Sequence, residues 1–105
     1  MCSQIWEHVV VAVFGEAVVA KFAKRHAASR KPLARFLAIA RASNWAHFLA
    51  VKQSFPAADY APSTGTVVFD IGGNKYRLIA IVNFERQSML IQEVLTHEQY
   101  NRENL

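Results

Sequence analysis

Three side chains in the C-terminal half could do chemistry together: the guanidinium of Arg77, the imidazole of His97 and the phenol of Tyr100. Arg77 sits near the start of "YRLIAIV", an apolar strand-like run that has little use for a cation. Either it is a solvated edge residue, or the sheet presents it, with Lys75, to something anionic. His97 and Tyr100 lie three apart just beyond the last strand-like run, so one helical turn puts them on the same side. If that last strand runs antiparallel to the Arg77 strand, Leu95 falls near Lys75 and Arg77, and residues 96 to 100 hang over the same corner. A guanidinium, an imidazole and a phenol gathered there can act on a phosphodiester. The arginine would stabilise charge on a pentavalent phosphate, and His97 could move a proton near neutral pH.

Other routes to chemistry are poorly supported. "GGNK" (72 to 75) lacks the spacer of a phosphate-binding loop and is followed by a strand, not a helix. Glu85, Glu93 and Glu98 form no evident acid/base pair. One cysteine, Cys2, and four scattered histidines give no metal-ligand spacing, so no metal and no cofactor is expected. The two Trp and seven Phe fall mostly on apolar stripes and read as core before base-stacking platforms.

The elements that must position the three residues follow from periodicity. Val9 to Val13 is a β-branched run bounded by Gly15 and reads as a strand buried on both faces. "GEAVVAKFAKRHAAS" reads as a helix, with Val18, Val19, Phe22 and His26 on one side and Lys21, Lys24 and Arg25 on the other. Pro32 suits the first turn of a second helix, striped by Leu33, Phe36, Leu37 and Ala40. Asn44 is a candidate N-cap for a short third helix carrying Trp45, Phe48 and Leu49. Residues 56 to 66 read as loop. Strands are expected over 66–71, 76–84 and 89–95, the first two joined by a tight turn at Gly72-Gly73-Asn74. Thr96, with Glu98 at capping-box-like spacing, opens a last short helix. The order gives an α+β fold: a strand, two to three helices, then a three-strand antiparallel meander with helices on one sheet face. Alternation then puts Lys75, Arg77, Ile79, Ile81 and Asn83 on the open face, and Tyr76, Leu78, Ala80 and Val82 under the helices.

At 105 residues the chain is expected to form one domain. Its net charge of +4 hides an asymmetry. Residues 1 to 52 hold eight Lys/Arg against two acids, whereas residues 53 to 105 hold four against six. A basic half suits a phosphate-bearing or acidic partner, and a solvated helix face gives the same count. A lone cysteine forms no internal disulfide, so a reduced, cytoplasmic setting is the default. The longest apolar run is far short of a membrane span, and no membrane association is expected.

"FPAAD" (55 to 59), "VVFDIGGNKYRLIAIV" (67 to 82) and "IQEVLTHEQY" (91 to 100) resemble the HigB toxins of bacterial type II toxin–antitoxin systems, within the RelE/ParE-like superfamily. The resemblance covers roughly residues 8 to 100, and residues 1 to 7 precede the usual start and read as a tail or as the product of an upstream start codon. It implies a RelE-like fold and a metal-independent endoribonuclease, an mRNA interferase that in some members acts only on the translating ribosome. Such enzymes use the RNA 2′-hydroxyl as nucleophile and leave a 2′,3′-cyclic phosphate. It also implies a HigA-like helix-turn-helix antitoxin and, through the complex with it, operator DNA. Carried over by position, Arg77 would stabilise phosphate charge, and His97 and Tyr100 would orient RNA or shuttle protons. Lys52, Lys75 and Asn74 would hold the RNA backbone. Two positions depart from the pattern. Gln92 stands where relatives often have arginine, and Asp70 stands where asparagine is usual. Two alternatives stay open: a ParE-like poison of a topoisomerase without RNA chemistry, and a degenerate toxin that only binds antitoxin and operator DNA.

Overall fold

Gly15 sets the first turn among the described residues. It holds φ at +88°, and a Cβ there would lie 2.5 Å from the carbonyl oxygen of Ile91. Only glycine lets the backbone pass so close to a neighbouring strand. The computed structural model describes residues 11–61 and 64–103, without the side chains of Asn74, Arg102 and Glu103. Before the glycine lies β1 (Ala12–Phe14), and after it α1 (Glu16–Arg25). A 3₁₀ turn (Ala27–Ser29) leads into α2 (Arg30–Arg41), followed by α3 (Phe48–Ser54) and β2 (Asp59–Ala61). Then come β3 (Thr66–Ile71), the Gly72–Asn74 turn, β4 (Tyr76–Asn83), β5 (Ser88–Thr96) and α4 (His97–Glu103).

The fold is mixed α+β, with one five-stranded sheet in the order β1-β5-β4-β3-β2. β2 through β5 pair antiparallel in sequence order, and β1 pairs parallel to β5. The antiparallel run therefore has four strands rather than the expected three. β2 is the addition, a three-residue edge strand inside the segment expected to be loop. Its shortness and flanking prolines leave no alternation to read in the sequence.

Alternation along β3 and β4 divides the sheet. Val67, Phe69, Ile71, Tyr76, Leu78 and Ala80 join Leu33, Phe36 and Ala40 of α2 and Val19 and Phe22 of α1 in one core cluster. Burying such large apolar side chains is the main source of stability here. Arg77, Ile79 and Ile81 occupy the other face. On β5 the register steps from Ile79↔Glu93 to Ala80↔Ile91, which leaves Gln92 as the extra residue of a β-bulge.

Four local expectations need correction. β1 is an edge strand whose Ala12 and Phe14 are exposed; Val9 and Val10 lie outside the described residues. The first helix stops at Arg25, and His26 leaves it to stack on Phe22 at 4.3 Å between ring centres. The third helix begins at Phe48 behind His47, not behind Asn44. Trp45 lies ahead of that helix and is buried between Phe55 and Phe69, whereas Leu49 is exposed. Finally, the capping box of α4 joins Thr96 to Gln99. The Gln99 N–H donates to Thr96 Oγ1 (3.1 Å) and the Thr96 N–H donates to Gln99 Oε1 (3.0 Å). With Thr96 as N-cap, residue 99 holds the third helical position from which a side chain reaches back, and Glu98 does not.

Candidate active site

The corner that holds Arg77 is assembled by three elements. β4 carries the arginine on its open face, and β3 supplies its cross-strand neighbour, because Asp70 pairs in register with Arg77. β5 leads straight into α4, whose first amide, His97 N–H, donates to the Lys75 carbonyl at 2.8 Å. That bond fixes the start of α4 beside the start of β4.

Around Arg77 the contacts are specific. Its Nε lies 3.2 Å from Asp70 Oδ1, with the arginine side chain 11% exposed and the aspartate 29%. Its Nη2 lies 3.3 Å from His97 Nδ1, and its Cζ stands 5.4 Å from the ring centre of Tyr100. A largely buried guanidinium needs such partners, since desolvating a charge without compensation is costly. The ring face of Tyr100 adds a favourable quadrupole beneath the cation.

Two contacts bear on how neutral His97 carries its proton. A guanidinium only donates, so Nδ1 accepts and the proton sits on Nε2. Asn101 Nδ2 lies 3.1 Å from Nε2, and exchanging the amide's oxygen and nitrogen, which occupy equivalent positions, gives that N–H an acceptor. Both ring nitrogens are therefore engaged in the free protein. An anion that takes the Nη2 edge of Arg77 would release Nδ1 to accept a proton.

Arg77, His97 and Tyr100 are brought together. Lys75 is exposed at the rim, two residues before Arg77. Asn74 lies in the β3–β4 turn, and its side chain is not among the described groups. Lys52 is on α3, where its Nζ donates to the Ala58 carbonyl at 3.0 Å; among the described residues no contact joins it to the cluster. Sequence reasoning missed Asp70 and Asn101 as partners of the cluster. The first was available: a hairpin closed over residues 72 to 75 places Ile71 opposite Tyr76 and Asp70 opposite Arg77. Asn101 could have been found as the residue four after His97 on a helix.

The arrangement is that of a small α+β protein with an arginine, a histidine and a tyrosine gathered at one corner of the sheet face turned away from α1 and α2. A family model described as HigB toxin, the RelE-like toxic component of a toxin–antitoxin system, matches residues 29–103, and the chain belongs to that family. Among curated proteins it is similar to the mRNA interferase toxin HigB of Escherichia coli K12 and to the mRNA interferase HigB of Shigella flexneri. Each is 40% identical over 52 residues, 49% of this chain and 50% of the relative. The chain thus spans about half the length of the curated relatives it matches. No helix among the described residues is long and apolar enough to cross a membrane.

Proposed function

We propose that this chain is the toxin of a type II toxin–antitoxin pair and acts as an mRNA endoribonuclease. The observation that carries the reading is the Arg77–His97–Tyr100 cluster, a charge-stabilising group beside a proton-transfer group on an open face. In the proposed reaction the RNA 2′-hydroxyl attacks the adjacent phosphorus and the bond to the 5′-oxygen breaks. The products are a 2′,3′-cyclic phosphate and a 5′-hydroxyl. The phosphate takes the Nη edge of Arg77, whose charge stabilises the equatorial oxygens of the phosphorane. Released from the arginine, His97 Nδ1 accepts the 2′-hydroxyl proton, while Asn101 holds the ring by Nε2. The departing 5′-oxygen takes a proton from the Tyr100 hydroxyl or from water. Lys75, at the exposed rim, meets the flanking backbone. Lys52 is engaged at Ala58 and contributes to RNA only if that bond opens.

The names of the relatives support an RNA substrate, and the family description supports an antitoxin partner. We infer a HigA-like partner with a helix-turn-helix domain, bound to operator DNA, encoded beside this gene. The test is to map 5′ ends of cellular mRNAs after brief induction of this chain beside Arg77→Ala. New cuts in the wild type that vanish in the variant are expected, and their phase against codons reports whether cutting occurs on the ribosome. Growth arrest without new cuts would overturn the nuclease reading in favour of a topoisomerase poison. Neither arrest nor cuts would leave a binding protein.

A further inference from the structure

Asp70 sits directly on the guanidinium of the proposed site, and nothing in the proposed reaction uses it. Its position is built in rather than incidental. Asp70 and Arg77 are Cα partners across β3 and β4, so the sheet itself holds the two side chains side by side on the open face. The contact is at Nε, with Oδ1 3.2 Å away. Nη2 is turned toward His97, and Nη1 lies 3.4 Å from the Tyr76 carbonyl. An arginine has two edges with which to grip a phosphate, the Nε side and the terminal Nη pair. With Asp70 on the first, a phosphate would take the second in exchange for these contacts, beside the imidazole that must take the proton.

We propose that Asp70 is a positioning residue of this site: it fixes the plane of the Arg77 guanidinium by its Nε edge and, through the same charge, weakens capture of the RNA phosphate. The proposal rests on the nuclease reading for its kinetics but on the Asp70–Arg77 contact for its geometry. The two roles pull apart on substitution. Asparagine keeps an oxygen that can accept from Nε and loses the charge; alanine loses both.

The experiment compares wild-type chain with Asp70→Asn and Asp70→Ala, using steady-state cleavage of an RNA oligonucleotide. It adds binding of the same sequence blocked by 2′-O-methyl groups, and the Arg77 Nε–H signal in nitrogen-15 spectra. Removing a fixed anion a few ångströms from the phosphate should lower KM and the blocked-RNA Kd about three- to tenfold in both variants. Loss of orientation should lower kcat about 10- to 100-fold in Asp70→Ala, with most of that recovered in Asp70→Asn. The Arg77 Nε–H signal should be slow to exchange in wild type and Asp70→Asn, and lost in Asp70→Ala. Equal kcat in the two variants, or an Nε–H signal unchanged by alanine, would overturn the positioning role. An unchanged Kd in Asp70→Asn would overturn the charge role. If wild-type chain cuts no free oligonucleotide, kcat and KM are read on ribosome-bound mRNA instead; if it cuts neither, the nuclease reading fails on its own, and the spectra and blocked-RNA binding still decide the case for Asp70. Matching thermal melts show that each variant is folded.

Discussion

At the scale of single residues, Arg77 puts one planar group to several uses. Its Nε faces a carboxylate, its Nη2 faces an imidazole, and its π-face lies against a phenol. A lysine in its place keeps the charge but presents one point donor on a flexible stem. It cannot meet Asp70 and a phosphate beside His97 in one fixed plane. Arg77→Lys is therefore expected to retain most RNA binding and to lose kcat about 100-fold, the scale seen when one preorganised donor to a developing oxyanion is removed. Measuring KM and kcat separately checks this. A drop confined to KM would mean that Arg77 only gathers RNA and stabilises no transition state. That the arginine faces away from the core was legible in the sequence, because β4 alternates without interruption from Tyr76 to Ala80. What its partners would be was less legible, since those depend on register across strands rather than on period within one.

At the scale of elements, the same contrast recurs. Helices and strands with a strong period, α2 and β3 above all, stand where the apolar pattern puts them. The misses are residues whose role is set by a distant partner. Trp45 looks like a helix-face residue because it lies three before Phe48, yet it is buried ahead of α3. The reason is Gln87, in the β4–β5 turn and 42 positions away. The Trp45 N–H donates to Gln87 Oε1 at 2.7 Å, and Gln87 Nε2 donates to the carbonyls of Trp45 and Phe84. Gln87 also takes a positive φ of 51°, uncommon for a side chain of its size, and its own carbonyl accepts from the Ala12 N–H at 2.8 Å. One buried amide thus ties the segment before α3 to the turn that precedes β5, and its backbone holds β1. Gln87→Ala leaves the Trp45 backbone groups unsatisfied in a dry site and should destabilise the fold by about 2–4 kcal/mol. Denaturant unfolding checks this by a lower midpoint at unchanged slope. A change within about 0.5 kcal/mol would mean that water replaces the amide without cost.

For the whole molecule, the question is how two cationic regions relate. The sequence places most of the positive charge in its first half, and the structure puts much of it on exposed positions of α1 and α2, including Lys24 and Lys31, while Arg35 lines a pocket with Asp70 beside the β3–β4 turn. Glu16 at the start of α1 pairs with Arg41 at the end of α2 and neutralises one cation of this layer. Those helices cover the face that carries Leu78 and Phe69, whereas Arg77 stands on the opposite face. The sequence could count the charges but could not separate the faces, because that needs the packing of helices on the sheet. The separation predicts different behaviour for short and long RNA. At physiological salt, charges more than about 8 Å apart through solvent are largely screened. A short oligonucleotide bound at the Arg77 corner should then be nearly blind to the helices, and the double variant Lys24→Gln, Lys31→Gln should change its KM by less than about twofold. A long mRNA can reach round to the helix layer. Its affinity should fall in the same variant, and the slope of log affinity against log salt should become shallower by about 0.7 for each phosphate that the variant leaves without a cation. Titrating both RNAs at several salt concentrations measures these quantities side by side. An equal loss for short and long RNA would mean that the helix cations belong to the cutting site itself, and the assignment of that site to the open sheet face would fail.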